Sequence, residues 1–326
     1  MNNLIDNSGF FQITTKILHT LDDKTQLECR LVCKSLKALV NQPLLWIQKL
    51  DIKRGQSKEV HDAWIDLMQR IEEGSFLEQE LVKCLMKWYG MRKSWPKTSL
   101  SGVTILHISA ACGVKSLVEF IVTYFKDSNP PKVNGITPIY SAAAHGNCDI
   151  VIFLASKADN PNQPSNDGVT PIFIASQEGH TEIVNLLASN VDNPNEPAKD
   201  GMTPIYIASH NGHAEIVKIL TSKVDNPNEP AKDGVTPIYA ASRKGHTDIV
   251  KILASKVSDA NAPRNNGATP IHSAIVNGHT AIVKYLVLNV NEPYTTAPTG
   301  ETLLELAKRR GHSDIVEFLI SIPQTI

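Results

Sequence analysis

The sequence predicts an all-α fold in which a small N-terminal helical module and linker helices precede a long stack of short helix pairs. The stack is predicted by two sets of glycines, each with a spacing of 33 residues and separated from the other by 11. The two sets are Gly102, Gly135, Gly168, Gly201, Gly234, Gly267 and Gly300, and Gly113, Gly146, Gly179, Gly212, Gly245, Gly278 and Gly311. A fixed period of this length is typical of repeat proteins, whose units bury their apolar faces against neighbouring units. The stretch from Leu31 to Trp46, ahead of the repeats, has no copy elsewhere in the chain, which predicts the separate module.

Each repeating unit predicts a turn followed by two helices. The Asp-Gly pair at 200–201 favours a tight turn, because both residues tolerate a positive φ. Thr203 can cap a helix with its hydroxyl, and Pro204 suits the first helical position, where no N–H is needed. Gly212 predicts the end of that helix in a left-handed conformation. The second helix has an apolar stripe formed by Ile216, Val217 and Leu220.

These motifs resemble the ankyrin repeat. The resemblance rests on Thr-Pro-Ile-Tyr at 203–206, Gly-His at 212–213 and Glu-Ile-Val at 215–217, and it extends over residues 101–326. It implies seven repeats joined by short β-hairpin turns, and a role in binding another protein.

The chain departs from the ankyrin pattern at two places in the repeat. The histidine after Thr-Pro is kept at His107 and His272, but other repeats have an aromatic residue there: Tyr140, Phe173, Tyr206 and Tyr239. The glycine expected after the second helix is replaced by Ala158, Val191, Val224, Val257 and Val290. Since valine resists a left-handed conformation, we expect the loop there to differ from the usual one.

The N-terminal segment resembles the F-box. The motifs are Ile17-Leu18 with Leu21, Leu31-Val32-Cys33-Lys34, and Pro43-Leu44-Leu45-Trp46, although Phe10-Phe11 stands where the family usually has Leu-Pro. The resemblance implies docking on a Skp-type adaptor that is itself bound to a cullin scaffold. The adaptor-binding residues are predicted to be Ile13, Ile17, Leu18, Leu21, Leu27, Val32, Cys33, Leu44 and Trp46.

The predicted domain order is an F-box-like module at 1–50, a helical linker at 51–100 and the repeat array at 101–326. This order predicts the substrate-recognition subunit of a ubiquitin ligase, in which the repeats hold an unidentified protein substrate. The alternative is a non-catalytic ankyrin scaffold whose N-terminal helices only cap the stack. We expect the chain on its own to be a monomer.

Composition and motifs favour a binding protein over other classes. The net charge is −1 and no apolar run is long enough to span a bilayer, so neither nucleic acid nor membrane is an expected partner. An odd number of cysteines, five, favours the cytoplasm or the nucleus. No phosphate-binding loop, nucleophile elbow or dinucleotide fingerprint is present, so we expect no enzyme activity and no cofactor.

The residues with metal-binding chemistry do not have the spacing of a metal site. The repeat itself spaces the histidines, and residues in successive units lie about 10 Å apart, whereas zinc ligands lie about 2 Å from one ion. We therefore expect no metal and assign these histidines to hydrogen bonds between helices and loops. Cys29 and Cys33 are interpreted as core residues, and the Lys-Arg-Arg run at 308–310 as a solvated end of the array.

The substrate-binding residues are predicted where nearly identical repeats differ. The two positions before the second glycine read Gln-Glu, His-Asn, Arg-Lys and Val-Asn in successive repeats. A change of charge at these positions argues against burial, because an unpaired buried charge is costly. Together with basic residues of the turns, the predicted partner-binding set is Gln177, Glu178, Lys199, His210, Asn211, Lys232, Arg243, Lys244, Arg264, Val276 and Asn277.

Overall fold

The computed structural model describes residues 105–125 and 128–322, and these form fourteen α-helices arranged in consecutive pairs. The chain divides into two compact units, Met1–Asn166 and Asp167–Ile326. The predicted F-box module, the linker and the adaptor-binding residues lie outside the described residues. Within the described residues the fold is all-α, as predicted.

The unit Met1–Asn166 contains two described helix pairs. The helices are α1 (Ile105–Cys112), α2 (Lys115–Phe125), α3 (Pro138–Ala144) and α4 (Cys148–Ala155). The first helices of the pairs, α1 and α3, pack on each other, and so do the second helices α2 and α4.

The unit Asp167–Ile326 contains five described pairs. They are α5 (Pro171–Glu178) with α6 (Thr181–Ala188), α7 (Pro204–Asn211) with α8 (Ala214–Thr221), α9 (Pro237–Lys244) with α10 (Thr247–Ala254), α11 (Pro270–Val276) with α12 (Thr280–Asn289), and α13 (Leu303–Arg310) with α14 (Ser313–Ser321). Each first helix packs on the first helix of the next pair, and each second helix on the next second helix. The pairs therefore stack within this unit in two layers of helices.

The ends of the first helices form as the sequence predicts. In α7, the Thr203 hydroxyl accepts a hydrogen bond from the Tyr206 N–H at 3.1 Å, and Pro204 occupies the first turn. Gly212 ends the helix with φ +89°, in the left-handed region. α5 and α9 have the same cap, proline and left-handed glycine, so the repeated sequence gives repeated helix boundaries.

The core lies between the two helix layers. Ile205 and Ala208 of α7 are fully buried, and so are Ile216, Val217 and Leu220 of α8. The two helices contribute one apolar face each, at the predicted positions. Helices of eight residues are too short to be stable alone, so the stack supplies most of their stability.

The predicted β-hairpins are present only as tight turns. No β-strand occurs in residues 105–125 and 128–322. In one turn, the Ala198 N–H donates to the Met202 carbonyl at 2.9 Å and the Gly201 N–H donates to the Ala198 carbonyl at 2.8 Å. Successive turns are joined by few backbone bonds, such as Lys232 N–H to the Asp200 carbonyl at 3.1 Å. This pairing is too short to make a strand.

Backbone torsions at the ends of two second helices bear on the loops in which valine replaces the expected glycine. α8 ends at Ser222 with φ −80° and ψ −8°, a right-handed conformation. α12 ends at Val290 with φ −106° and ψ 154°, an extended conformation. Val290 thus avoids the left-handed conformation, as expected of a valine at this position.

Candidate partner-binding surface

The four predicted pairs of variable residues lie at the C-terminal ends of α5, α7, α9 and α11 in the unit Asp167–Ile326. The second residue of each pair is exposed: Glu178, Asn211, Lys244 and Asn277. The first residue is exposed only in α9, where it is Arg243; Gln177, His210 and Val276 are half-buried. The expectation that both positions face solvent thus holds fully for α9 alone.

Some of these polar side chains bind neighbouring backbone. The Asn211 amide donates to the Gln177 carbonyl of the preceding repeat at 2.9 Å, and the Asn277 amide donates to the Ser273 carbonyl of its own helix at 2.8 Å. Arg243 and Lys244 form no ion pair with any residue of the described segments. They are therefore the members of the pairs with most capacity for a partner.

The predicted turn residues fall into two kinds. Lys199 and Lys232 are exposed. Arg264 has only 29% of its side chain exposed; its Nη2 lies 3.7 Å from Asp233 Oδ2, and its Cζ lies 5.6 Å from the centroid of the Tyr239 ring. A guanidinium held against an aromatic face and one carboxylate has a fixed orientation.

Where tyrosine replaces the histidine that follows the Thr-Pro motif, the contacts of this position on the first helix change. His272 is buried and keeps the histidine role: its Nδ1 accepts from the Thr269 N–H at 3.0 Å, and its Nε2 donates to the Thr295 carbonyl at 3.0 Å. Tyr206 instead stacks on His210, with ring centroids 6.5 Å apart and planes 20° apart. Tyrosine at this position therefore places an aromatic ring beside the variable pair.

An apolar cluster supports this aromatic surface. Val235, Tyr239 and Ala240 are buried together, and Tyr206 and Ala268 pack against them. The cluster joins the first helices and turns of three successive repeats. We call Tyr206, His210, Tyr239, Arg243, Lys244 and Arg264 the basic–aromatic patch.

Charges of both signs surround the half-buried Tyr206 hydroxyl. Its pKa is raised by burial and by the carboxylates of Asp233 and Asp200, while Arg243 and Arg264 act in the opposite direction. The pKa of His210 is lowered by burial first, then by the positive charges of Lys244 and Arg243. His210 is therefore in a positive potential that disfavours its own protonation.

The family comparisons match nearly the whole chain. A model of ankyrin repeats in three copies matches five overlapping segments, 67–165, 156–230, 172–266, 222–295 and 255–325. The F-box domain model matches residues 12–48. The chain is an F-box/ankyrin-repeat protein. No curated protein matches it.

These two domains are interaction modules, so the F-box/ankyrin-repeat protein has a protein-binding or substrate-adaptor role. The F-box implies a Skp-type adaptor as one partner, and the ankyrin repeats imply a bound protein as another. All nine predicted adaptor-binding residues fall within the matched segment 12–48, outside the described residues. Their individual roles stay predictions.

The repeated histidines bind backbone, as predicted. The Nε2 atoms of His213, His246 and His279 donate to the carbonyls of Gln177, His210 and Arg243 in the preceding repeat, at 3.1, 3.2 and 3.1 Å. The Nε2 of His312 is buried without a partner in the described residues. Across those same residues, no group of three or more histidine, cysteine, aspartate or glutamate residues could hold a metal ion. Nor does any described helix combine the length and apolar character of a membrane span.

Sequence reasoning missed the aromatic part of this surface. It singled out the exchange of histidine for tyrosine as a departure but gave Tyr206 and Tyr239 no role. The available signal was the loss of the histidine that closes the helix cap. A ring that no longer makes those bonds is free to join the neighbouring surface, as Tyr206 does on His210.

Proposed function

We propose that this F-box/ankyrin-repeat protein is the substrate-recognition subunit of a Skp–cullin–F-box E3 ubiquitin ligase. The observation that carries the proposal is the order of the two matched domains, an F-box at 12–48 ahead of ankyrin repeats in one chain. In this proposal the F-box docks the adaptor, and the ankyrin repeats hold the protein substrate. The chain works where ubiquitin ligases do, in the cytoplasm or the nucleus.

The proposed role needs no chemistry from the chain itself. A receptor that binds adaptor and substrate at once holds a substrate lysine near the ubiquitin-loaded enzyme on the cullin. This raises the effective concentration of the lysine, which accelerates transfer without a catalytic side chain in the receptor. The basic–aromatic patch supports the substrate-binding half of the role: Arg243 and Lys244 are exposed and Tyr206 is half-buried, and arginine and tyrosine are enriched among the residues that dominate binding energy in protein interfaces.

The test is recovery of the adaptor and cullin with the tagged full-length chain from a eukaryotic cell. The wild type should retain both proteins. A variant with Leu44→Ala and Trp46→Ala should lose both, because truncation removes the apolar contacts expected of the F-box. A control with Lys251→Glu, an exposed position on α10, should retain both.

A wild-type chain that recovers neither adaptor nor cullin would contradict the ligase proposal. Binding of the adaptor and cullin by the Leu44→Ala, Trp46→Ala variant at the wild-type level would move the docking surface away from these residues. Under the first outcome the chain would be an ankyrin scaffold, the alternative that its repeats support.

A further inference from the structure

Arg243 and Lys244 form the cationic part of the basic–aromatic patch. Both are exposed at the C-terminus of α9, where basic residues are favoured by the helix dipole. The dipole alone does not account for two charges here, because the equivalent positions are Gln177-Glu178 in α5 and Val276-Asn277 in α11. Arg309-Arg310 of α13 are also basic, but Arg309 pairs with Glu301, so among α5, α7, α9 and α11 a pair of cations without an ion pair in the described residues occurs at α9 alone.

Arg264 adds a third cation in a fixed orientation. The Tyr239 ring lies under its guanidinium, and only its Nη2 is near a carboxylate, at 3.7 Å from Asp233. Its Nε is buried with no hydrogen-bond partner in the described residues. A guanidinium has five N–H donors suited to a carboxylate, so Arg264 has donors to spare beyond its own ion pair.

The charge balance of the patch is positive. The patch has three cations, Arg243, Lys244 and Arg264. The carboxylates that act on its Tyr206 hydroxyl are those of Asp233 and Asp200, and within the described segments only Asp233 forms an ion pair, with Arg264. His210 lies beside Lys244 and Arg243, with its ring stacked on Tyr206. The patch thus combines two exposed cations that form no ion pair in the described residues, Arg243 and Lys244, with a third cation, Arg264, that is held against the Tyr239 ring.

We propose that the basic–aromatic patch binds an extended acidic segment of the substrate, whose aspartate or glutamate side chains pair with Arg243, Lys244 and Arg264. That the bound protein is a ligase substrate rests on the proposed function, whereas the acidic character of the bound segment rests on the patch. Stacked first helices lie about 10 Å apart, so an extended segment of about three residues spans one step. Glu178 is exposed two repeats before α9 and would repel an acidic side chain of the bound segment. The acidic end of the segment should therefore lie at α9.

The test begins with a library of random twelve-residue peptides displayed against the full-length chain. Peptides retained by the chain should be enriched in aspartate and glutamate, with at least two of them within four residues. Retained peptides without this enrichment, or no retained peptide, would overturn the proposal.

The second step measures the affinity of the most enriched peptide by fluorescence anisotropy. A variant with Arg243→Glu and Lys244→Glu should bind the peptide at least tenfold more weakly. Arg264→Lys should also weaken binding, because lysine lacks the planar guanidinium that can donate two parallel hydrogen bonds to a carboxylate. The matched control is Lys251→Glu with Lys256→Glu, the same change of charge at exposed positions on and after α10, and it should bind like the wild type. If the control variant weakened peptide binding to the same extent, the effect would come from net charge in general, and the proposed binding site would be wrong.

A twenty-nucleotide single-stranded DNA serves as the polyanion comparison. It should bind more weakly than the peptide. Tighter binding of DNA with the same sensitivity to Arg243 and Lys244 would replace the acidic-peptide proposal with a nucleic-acid site. Adaptor recovery by each variant separates this test from the proposed function: it should stay at the wild-type level even where peptide binding is lost.

Discussion

At the scale of the residue, buried asparagines order the loops of this protein. Asn195, Asn228 and Asn261 recur every 33 residues and are almost fully buried. Their side-chain oxygens accept from the N–H groups of Ile205, Ile238 and Ile271, at 3.0, 3.1 and 3.2 Å. Each isoleucine lies in the first turn of a first helix, where the N–H has no partner within the helix. The asparagine therefore joins the loop to the helix of the same repeat.

Replacing Asn228 by alanine should lower the free energy of unfolding by about 1–3 kcal/mol, because the Ile238 N–H is then buried without an acceptor. Urea unfolding of the full-length chain measures the effect. Asn190→Ala is the control: Asn190 is exposed, and its side-chain amide donates to the Leu186 carbonyl of the preceding helix α6, so a change within about 0.5 kcal/mol is expected. Equal effects of the two variants would show that the buried hydrogen bond adds nothing.

His107 predicts a dependence of stability on pH. Burial, and then the charge of Lys132, lowers the pKa of His107 from 6.5 to about 3. Between these values the unfolded chain binds more protons than the folded chain, so stability falls as pH falls below 6.5. Because of this residue, the free energy of unfolding should be about 2 kcal/mol lower at pH 5 than at pH 7.

The comparison is urea unfolding at pH 7 and pH 5 for the wild type and His107→Gln. Glutamine does not titrate and can still donate to the Ile136 carbonyl, which His107 Nε2 contacts at 3.0 Å. The loss of stability from pH 7 to pH 5 should therefore be smaller in the variant. The same loss in both proteins would mean that His107 is not the titrating group.

At the scale of the element, glycines at the ends of the first helices both terminate the helix and allow close contact with the next repeat. Gly212, Gly245 and Gly278 have a positive φ that side chains with a Cβ rarely adopt. They also lie against a histidine of the next repeat: a Cβ on Gly212 would stand 2.7 Å from His246 Cε1. The helix end and the stacking of neighbouring repeats thus depend on the same position.

Gly212→Ala and Gly311→Ala separate these two effects. Both glycines have a positive φ, but nothing lies within 4 Å of a Cβ on Gly311. Gly311→Ala should cost about 1–2 kcal/mol for the backbone alone. Gly212→Ala should cost more, since the His246 ring must also move and strain its bond to the His210 carbonyl. Equal losses in urea unfolding would show that the histidine contact moves without cost.

At the scale of the whole molecule, each unit is held together by contacts between successive helix pairs. In the unit Asp167–Ile326, every first helix packs on its neighbours, and so does every second helix. The pair α13–α14 covers the apolar faces of α11 and α12, which contain Ile275 and Leu286, both fully buried. Its own outer side exposes Ile320 at 63%.

Deletion of residues 303–326 should lower the urea midpoint and increase binding of a hydrophobic dye, because it exposes apolar surface of α11 and α12. The matched change is Ile320→Lys, which replaces an exposed residue of α14 and should alter stability by no more than about 0.5 kcal/mol. A truncated chain with the wild-type midpoint would show that the last pair is not needed to cover the stack.

The repeat period, the helix boundaries and the buried apolar stripes could all be predicted from the sequence alone. These features are local: a threonine followed by proline starts a helix, a glycine ends it, and apolar residues at helical spacing mark the buried face. For the same reason it located the variable pairs at the ends of the first helices, including Arg243 and Lys244. It also identified the F-box, which the family model matches at residues 12–48.

Which side chains act together could not be predicted from the sequence and depends on the packing of the repeats. The stacking of Tyr206 on His210 follows from helical spacing, but the guanidinium of Arg264 on the Tyr239 ring joins residues 25 apart in the chain. The structure also reduced the expected hairpins to tight turns and showed Gln177, His210 and Val276 to be half-buried. Burial and contact at these positions depend on how one repeat sits on the next, and the packing of neighbouring side chains sets that geometry.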